Sequence, residues 1–176
     1  MNLPVLSIQP LMVMIGLVIG QRLGELYIAN RNTKLLLARG GREIGKGHYP
    51  LFFLLHGSWL ASLALFVPYD TKPILPLIGL YLVLQVGRIW VMSALGPYWT
   101  TRIITINEPI VRKGPFRFVK HPNYLVVAAE IAVLPLAFHA WKIALVFSIL
   151  NGLLLAWRIH VEDNSLKARV DDDIFA

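Results

Sequence analysis

The chain has 176 residues, of which 56% are hydrophobic and only 15% are charged. This balance is too apolar for an ordinary soluble domain and indicates an integral membrane protein. The absence of cysteine excludes a disulfide framework and a thiolate metal site, and no metal site of another kind is predicted. The formal net charge of +7 suits membrane orientation and contact with anionic lipid headgroups, so no nucleic-acid partner is expected.

Five apolar runs have the length, or nearly the length, that a helix needs to cross a hydrocarbon layer of about 30 Å. They cover residues 5–28, 49–67, 73–95, 123–138 and 141–157. The last two are short for full spans, and only His139 and Ala140 separate them, so we predict a tight helical hairpin. The expected fold is an all-α membrane bundle of about five transmembrane helices, forming a single domain over residues 1–176.

Lysine and arginine are concentrated in the connections on one side of this predicted bundle. Those connections hold Arg31, Lys34, Arg39, Arg42, Lys46, Arg102, Arg112, Lys113, Arg117 and Lys120. The connections on the other side hold only Lys72 and Lys142. Because short cytoplasmic loops carry the excess of positive charge, we expect the N-terminus outside and the C-terminus in the cytoplasm.

Glycine recurs every fourth residue on one face of the first predicted helix, at Gly16, Gly20 and Gly24. Small residues at this spacing let a second helix approach closely. We expect the glycines to contact another helix of the same chain, and contact with a second copy is the alternative.

Four ionisable side chains lie within or at the end of the later apolar runs: His56, Arg88, Glu130 and Arg158. Such groups are costly in a membrane and usually mark a pairing, a cavity or a pathway. We expect His56 to hydrogen-bond a neighbouring helix and Glu130 to pair with one of the two arginines. Because few acids are expected to be buried with them, we expect Arg88 and Arg158 to bind an anionic group, which guanidinium groups hold bidentately.

The connector over residues 95–124 is turn-rich, basic and aromatic, unlike the helices around it. Its residues 102–106 are predicted to be a short extended segment. Pro122 is expected near the first position of the fourth helix, which puts His121, Asn123 and Tyr124 at a helix N-terminus. Free backbone N–H groups there can bind a carboxylate or another polar group. An interfacial loop with anchoring aromatic residues is the alternative.

Residues 158–166, RIHVEDNSL, are predicted to continue the fifth helix beyond the membrane surface. Arg158 and Glu162 lie one helical turn apart, which suits a surface salt bridge. An acid at this place also suits the two hydroxyls of a ribose, as in nucleotide sites. The residues by themselves leave both interpretations open.

The segment RKGPFRFVKHPNYL, the hydrophobic hairpin and RIHVEDNSL together resemble the isoprenylcysteine carboxyl methyltransferase family of integral-membrane methyltransferases. The family pattern is approximately G-P-Y-R-x-x-R-H-P-x-Y, followed beyond the last membrane helix by E-E-x-x-L. The matching residues are Gly114, Pro115, Arg117, His121, Pro122, Tyr124, Glu162 and Leu166. Three positions depart from the pattern, because Phe116, Lys120 and Asp163 stand where the family has Tyr, Arg and Glu.

The resemblance implies a five-helix bundle whose cytoplasmic pocket, formed by the connector and the C-terminal helix extension, binds S-adenosyl-L-methionine. The residues expected to bind this cofactor are His121, Pro122, Tyr124, Glu162, Trp99 and Lys120. Arg88 and Arg158 match family arginines near the methyl donor and are the expected catalytic residues, orienting the nucleophile. The bacterial members that the chain looks like lead us to expect a bacterial inner membrane.

The implied reaction is methyl transfer to a carboxylate, or to a phenol or enol oxygen, of a lipophilic acceptor. The family name implies a prenylated cysteine carboxylate, and a small hydrophobic acid, phenol or enol fits this compact chain at least as well. A phenol or enol would need a base such as His121 or Glu130. An NADPH-dependent membrane reductase of related architecture and a non-enzymatic transporter or assembly protein are the alternatives, and no oligomeric state is predicted.

Overall fold

The computed structural model describes residues 9–108 and 111–174. The predicted start of the first run, at residue 5, lies outside the described residues. The side chain of Leu166, which belongs to the matched pattern, also lies outside what the structure describes.

The described chain is a bundle of five α-helices. These are α1 (Pro10–Ala38), α2 (Tyr49–Phe66), α3 (Leu75–Leu95), α4 (Pro122–Ala137) and α5 (Trp141–Ile174). Within the described residues, four helices are long and apolar enough to cross a membrane, and α4 is shorter at 16 residues. A helix satisfies its own backbone hydrogen bonds, which the hydrocarbon layer cannot do. The predicted all-α membrane fold is confirmed.

Proline marks the beginnings of three helices, because its fixed backbone angle suits the first turn and its missing N–H is not needed there. Pro10, Pro76 and Pro122 take these places in α1, α3 and α4. The predicted hairpin of α4 and α5 is confirmed. Its turn contains His139 in the left-handed conformation, with φ 59°.

A two-stranded antiparallel sheet joins the two connections on the side of the bundle that carries the basic residues. Strand β1 (Arg42–Ile44) pairs with β2 (Ile103–Thr105), with Glu43 opposite Ile104. The predicted extended segment at 102–106 is therefore confirmed, but its partner β1 was not predicted. The sheet packs against α5 and ties the α1–α2 connection to the connector between α3 and α4.

The closest packing lies at the other end of the bundle, near the turn between α4 and α5. Fully buried apolar side chains there include Leu11, Trp59, Leu63, Ile131 and Leu134. α4 packs between α3 and α5, while α1 lies beside α2 and the short turn that follows α3. Large apolar side chains cover the outside of the bundle, as a protein surrounded by lipid requires.

The glycines of α1 lie on its outer face. A Cβ atom added at Gly16, Gly20 or Gly24 would meet no heavy atom within 4 Å. The expected contact with another helix of the same chain is wrong, because α1 packs through the side that carries Ile15 and Val18 instead.

Candidate functional site

The α4–α5 hairpin brings the two sequence motifs into contact. Tyr124, in the first turn of α4, donates a hydrogen bond from its hydroxyl to Oε2 of Glu162 on α5, with an O–O distance of 2.5 Å. Nε of Arg158 donates to the same hydroxyl at 2.8 Å. The tyrosine hydroxyl thus joins Arg158 to Glu162, where the sequence suggested a direct salt bridge.

A second set of contacts joins the end of the connector to α5. The His121 ring stacks on Tyr124 with centroids 5.2 Å apart, and its Nε2 lies 3.1 Å from Oδ1 of Asp163. Nζ of Lys120 lies 2.7 Å from the same oxygen. The Asp163 carboxylate therefore fixes two residues of the connector, although it is shorter than the glutamate of the family pattern.

Gly114 allows the connector to lie directly on α3. It opens the 3-10 turn Gly114–Arg117 with φ +59°, a conformation that L side chains rarely adopt. A Cβ atom at this position would lie 2.9 Å from Cβ of Ala94 and 3.3 Å from Nε1 of Trp90. A side chain would push the turn away from α3 and shift Phe116, which lines a cavity on the other side.

This cavity, which we call the polar cavity, has a volume of about 190 Å³ and lies between the connector and α5. All six residues predicted to bind a cofactor line it: Trp99, Lys120, His121, Pro122, Tyr124 and Glu162. Arg158 lines it as well, and Arg88 does not. The structure therefore brings together every predicted cofactor residue and one of the two predicted catalytic arginines.

Four buried polar atoms of residues that line the polar cavity find no hydrogen-bond partner among the described residues. They are Nε1 of Trp99, Nε of Arg102, Oδ1 of Asn123 and Oγ of Ser165. Buried polar groups are nearly always hydrogen-bonded, so these atoms are suited to a polar molecule in the cavity. Ser165 was not predicted, although it follows Glu162 at the spacing that keeps two residues on one helical face.

A second cavity, which we call the apolar cavity, has a volume of about 290 Å³ and lies deeper between the helices. Its walls are formed mainly by apolar parts of side chains from α1, α2, α4 and α5. The two cavities share Trp99, Thr100, Asn123, Tyr124 and Arg158. They meet, therefore, around the hydrogen bond between Arg158 and Tyr124.

The guanidinium group of Arg158 lies at this meeting point. Arg158 is only 8% exposed. Its guanidinium carbon lies 5.3 Å from the ring centre of Phe52 and 5.7 Å from that of Tyr124. Within the described residues, no carboxylate oxygen lies within 4.0 Å of its guanidinium nitrogens. Aromatic faces stabilise the cation and leave it able to bind an anion.

Arg88, unlike Arg158, is paired with carboxylates. Its Nη2 lies 2.6 Å from Oε2 of Glu25, its Nε also donates to Glu25, and its Nη1 lies 3.1 Å from Oε2 of Glu130. The predicted pairing of Glu130 with an arginine is confirmed. The expectation that Arg88 binds an external anion assumed few buried acids, and that assumption is wrong because two carboxylates already neutralise this guanidinium.

Arg22 completes the group, which we call the charged network: Arg22, Glu25, Arg88 and Glu130. Nη1 of Arg22 lies 2.9 Å from Glu25, and its Nη2 lies 2.5 Å from Glu130. Gln85 donates to the remaining oxygen of Glu130 at 2.9 Å. Arg22 and Glu25 were not predicted, although their spacing of three residues within an apolar helix was the available signal.

His56 does not contact a neighbouring helix through the hydrogen bond that we expected. Its Nδ1 lies 2.8 Å from the carbonyl oxygen of Phe52, one turn earlier in α2. The prediction was wrong because a helix offers its own carbonyl groups to polar side chains that face apolar surroundings. The imidazole lines the apolar cavity.

Contacts from α1, β1 and the beginning of α2 hold the segment that carries Trp99. Nδ2 of Asn32, on α1, donates to the carbonyl oxygen of Trp99 at 2.8 Å. Nη1 of Arg102 lies 3.0 Å from Glu43 on β1, and its guanidinium lies over the ring of Tyr49 at 4.8 Å. Burial lowers the pKa of Arg102, but the Glu43 carboxylate outweighs this effect, so the pKa is raised and the cation is retained.

The chain is a multi-pass membrane protein in which a polar cavity and an apolar cavity share Arg158 as a lining residue. A sequence model of the Isoprenylcysteine carboxyl methyltransferase (ICMT) family matches residues 77–168, from α3 to the part of α5 that lines the polar cavity. The chain belongs to this family of membrane methyltransferases, as its motifs predicted.

A relative of unassigned function is similar over most of the chain. It is the Uncharacterized protein YpbQ of Bacillus subtilis (strain 168), with 35% identity over 159 residues, 88% of this chain and 95% of that protein. No solved structure matches the chain. The similarity therefore extends beyond α3–α5 to the first two helices.

Proposed function

We propose that the protein transfers a methyl group from S-adenosyl-L-methionine to an anionic oxygen of a lipophilic acceptor. One observation carries this proposal: a polar cavity and an apolar cavity meet at the guanidinium of Arg158, which has no carboxylate partner among the described residues. A methyltransferase of this kind must hold a water-soluble donor and a lipid-soluble acceptor with their reacting atoms together. Two cavities with a shared wall meet that requirement.

The residues of the polar cavity fit S-adenosyl-L-methionine. The Glu162 carboxylate would accept hydrogen bonds from ribose hydroxyls, while Nε1 of Trp99 and Oδ1 of Asn123 offer an unused donor and an unused acceptor to other polar groups. The ring of Tyr124 would face positive charge favourably. When bound, the donor supplies a methyl group on a positively charged sulfur.

Arg158 would hold the acceptor oxygen at the junction of the cavities. A carboxylate has a reference pKa of about 4 and is already ionised near neutral pH, so it needs no base. The side chains around Arg158 would then contribute by orienting the oxygen and by excluding water. Arg88 would stabilise the wall of the apolar cavity through the charged network without touching the reacting oxygen.

A phenol or enol acceptor would require a base, and the contacts of the two candidates favour His121 over Glu130. Glu130 lines neither cavity, and Arg22, Arg88 and Gln85 already donate to its oxygens. His121 lines the polar cavity, and its Nε2 lies 3.1 Å from Oδ1 of Asp163. His121 is therefore the base that we propose for such an acceptor.

We place this site at the cytoplasmic face of a bacterial inner membrane, with the N-terminus outside and the C-terminus in the cytoplasm. The distribution of lysine and arginine supports this orientation. The acceptor, whether a small lipophilic molecule or a prenylated one, would reach the apolar cavity from the surrounding lipids.

The test is to incubate the purified protein with methyl-labelled S-adenosyl-L-methionine and a lipid extract from its host. We expect label in an apolar methyl ester or methyl ether, whose mass identifies the acceptor. The variant Arg158→Gln should transfer much less label, and Arg112→Gln, which changes an exposed arginine outside both cavities, should match the unsubstituted protein. A folded protein that labels no lipid in any host extract would contradict the proposal.

A further inference from the structure

The wall of the apolar cavity carries, besides Arg158, polar side chains with which a hydrocarbon chain cannot hydrogen-bond. They include three members of the charged network, Arg22, Glu25 and Arg88, together with His56 on α2. Glu25 and Arg88 are hydrogen-bonded to each other. Arg22 and His56, in contrast, keep hydrogen-bonding groups that the described residues do not use.

His56 offers a hydrogen-bond acceptor to the cavity. Its Nδ1 lies 2.8 Å from the carbonyl oxygen of Phe52, which can only accept, so Nδ1 carries the proton. In the neutral ring, Nε2 then has a lone pair that can accept a hydrogen bond. No hydrogen bond to this Nε2 is found among the described residues, and the ring lines the cavity.

Arg22 offers hydrogen-bond donors to the same cavity. A guanidinium group has five N–H groups. Nη1 of Arg22 donates to Glu25 and its Nη2 donates to Glu130, while its Nε finds no partner among the described residues. The side chain is 17% exposed and lines the cavity, so N–H groups of Arg22 remain for an oxygen atom of a ligand.

A hydroxyl group fits this pair of side chains, because it donates one hydrogen bond and accepts others. It would donate to Nε2 of His56 and accept from Arg22. A hydrocarbon group in the same place would leave both side chains with buried groups that lack partners, which is unfavourable. Sites that hydrogen-bond a hydroxyl therefore discriminate strongly against analogues that lack it.

His56 and Arg158 are close enough for one molecule to contact both. The ring centre of Phe52 lies 5.3 Å from the guanidinium carbon of Arg158 and 6.5 Å from the ring centre of His56. All three residues line the apolar cavity, whose volume is about 290 Å³. A molecule with its reacting oxygen at Arg158 can therefore present a second oxygen to His56 and Arg22.

We propose that His56 and Arg22 bind a hydroxyl group in the apolar part of the acceptor, in addition to the oxygen that Arg158 holds for methylation. This inference rests on the proposed methyl transfer and adds the substrate class, a lipophilic acid or phenol with a second oxygen that is not methylated. His56 is then a residue that determines specificity.

The first test measures binding without turnover, by calorimetry in the presence of S-adenosylhomocysteine. Octanoate is compared with octanoates that carry a hydroxyl at carbon 4, 6 or 8, and 4-propylphenol with 4-(3-hydroxypropyl)phenol. In at least one series, a hydroxylated compound should bind about tenfold or more tightly, since the plain compound leaves the groups of His56 and Arg22 unpaired. No preference for a hydroxyl in either series would overturn the inference.

The second test assigns this preference to His56. The variant His56→Phe keeps a ring but removes the acceptor, so it should bind the plain and the hydroxylated compound equally well. His56→Gln, whose amide oxygen can accept a hydrogen bond, should keep part of the preference. The control His160→Phe changes an exposed histidine that lines neither cavity and should keep all of it.

Thermal stabilisation by S-adenosylhomocysteine alone would show that each of these variants is folded. A preference for the hydroxylated compound that survives unchanged in folded His56→Phe would overturn the inference.

Turnover of the same compounds distinguishes this inference from the proposed function. If the hydroxylated compound binds more tightly only when His56 is intact and no compound is methylated, the proposed function fails and the hydroxyl site is supported. If plain and hydroxylated compounds are methylated with equal kcat/KM in every variant, the hydroxyl site fails and the proposed function is supported.

Discussion

Arg88 and Arg158 are 5% and 8% exposed, and what surrounds each guanidinium decides its role. Arg88 donates to Glu25 and Glu130, whereas Arg158 contacts aromatic rings and one tyrosine hydroxyl. A neutralised arginine stabilises a fold, while an arginine without a carboxylate beside it can bind an anionic ligand. The two residues should therefore respond differently to the same substitution.

We expect Arg158→Gln to lower kcat/KM for methyl transfer by about 10- to 100-fold, since a hydrogen bond from a charged group contributes about 1.5–3 kcal/mol. Its unfolding temperature should change little. Arg88→Gln should instead destabilise the protein by about 3–5 kcal/mol, because Glu25 and Glu130 lose a partner in a buried site. Transfer assays and thermal unfolding in detergent measure both effects.

The double variant Arg88→Gln, Glu25→Gln is the control for this prediction. Removing one arginine and one glutamate together restores the balance of charge within the network, so part of the lost stability should return. The opposite pattern, with Arg158 essential for stability and Arg88 only for transfer, would contradict the roles assigned to them.

For individual residues, the motifs predicted the lining of the polar cavity well and the members of the charged network poorly. All six predicted cofactor residues line one cavity. Five of them belong to two compact motifs that one helical hairpin must bring together, and Trp99 lies earlier in the connector. The partners of Arg88 come from α1 and α4, which lie far apart in sequence. Hydropathy could not show that Glu25, inside an apolar run, would face Arg88.

Among the elements, the connector between α3 and α4 depends on a close approach that only glycine permits. The turn Gly114–Arg117 lies against Ala94 and Trp90 of α3, and it carries Phe116 to the polar cavity. The strain of a positive φ and the lack of space act together at Gly114. Gly96 also has a positive φ, of 54°, but a Cβ atom there would meet nothing within 4 Å.

We therefore expect Gly114→Ala to destabilise the protein more than Gly96→Ala does. Both variants place an alanine at positive φ, which is strained at either position, and Gly114→Ala adds overpacking against α3 of about 1–3 kcal/mol. Thermal unfolding of the two variants in the same detergent measures the difference. Equal losses of stability would show that the contact with α3 does not restrict residue 114.

Apolar runs predicted the positions of the helices, because crossing hydrocarbon imposes both length and composition. They did not predict that α1 would continue to Ala38, since a helix that leaves the membrane no longer needs apolar residues. Strand β1 was also missed. Its three residues form a strand only because β2 pairs with them, and no local pattern shows that pairing.

In the whole molecule, the fold divides the bundle into a tightly packed end and an end that holds both cavities. The packed end, around Trp59 and Leu134, fixes the helices relative to one another. The other end brings residues from all five helices and the connector around the Arg158–Tyr124 contact. Which helices surround a cavity could not be predicted, because an apolar helix can pack against any other apolar helix.

The central claim is that the polar cavity binds the methyl donor, and titration of the purified protein with S-adenosylhomocysteine by calorimetry tests it most directly. We expect binding that Glu162→Gln weakens about tenfold, since a charged hydrogen-bond acceptor is lost, and that Asp70→Asn, a change outside both cavities, leaves intact. NADPH should not bind. Failure of S-adenosylhomocysteine to bind the folded protein, or equal affinity in Glu162→Gln, would contradict the account.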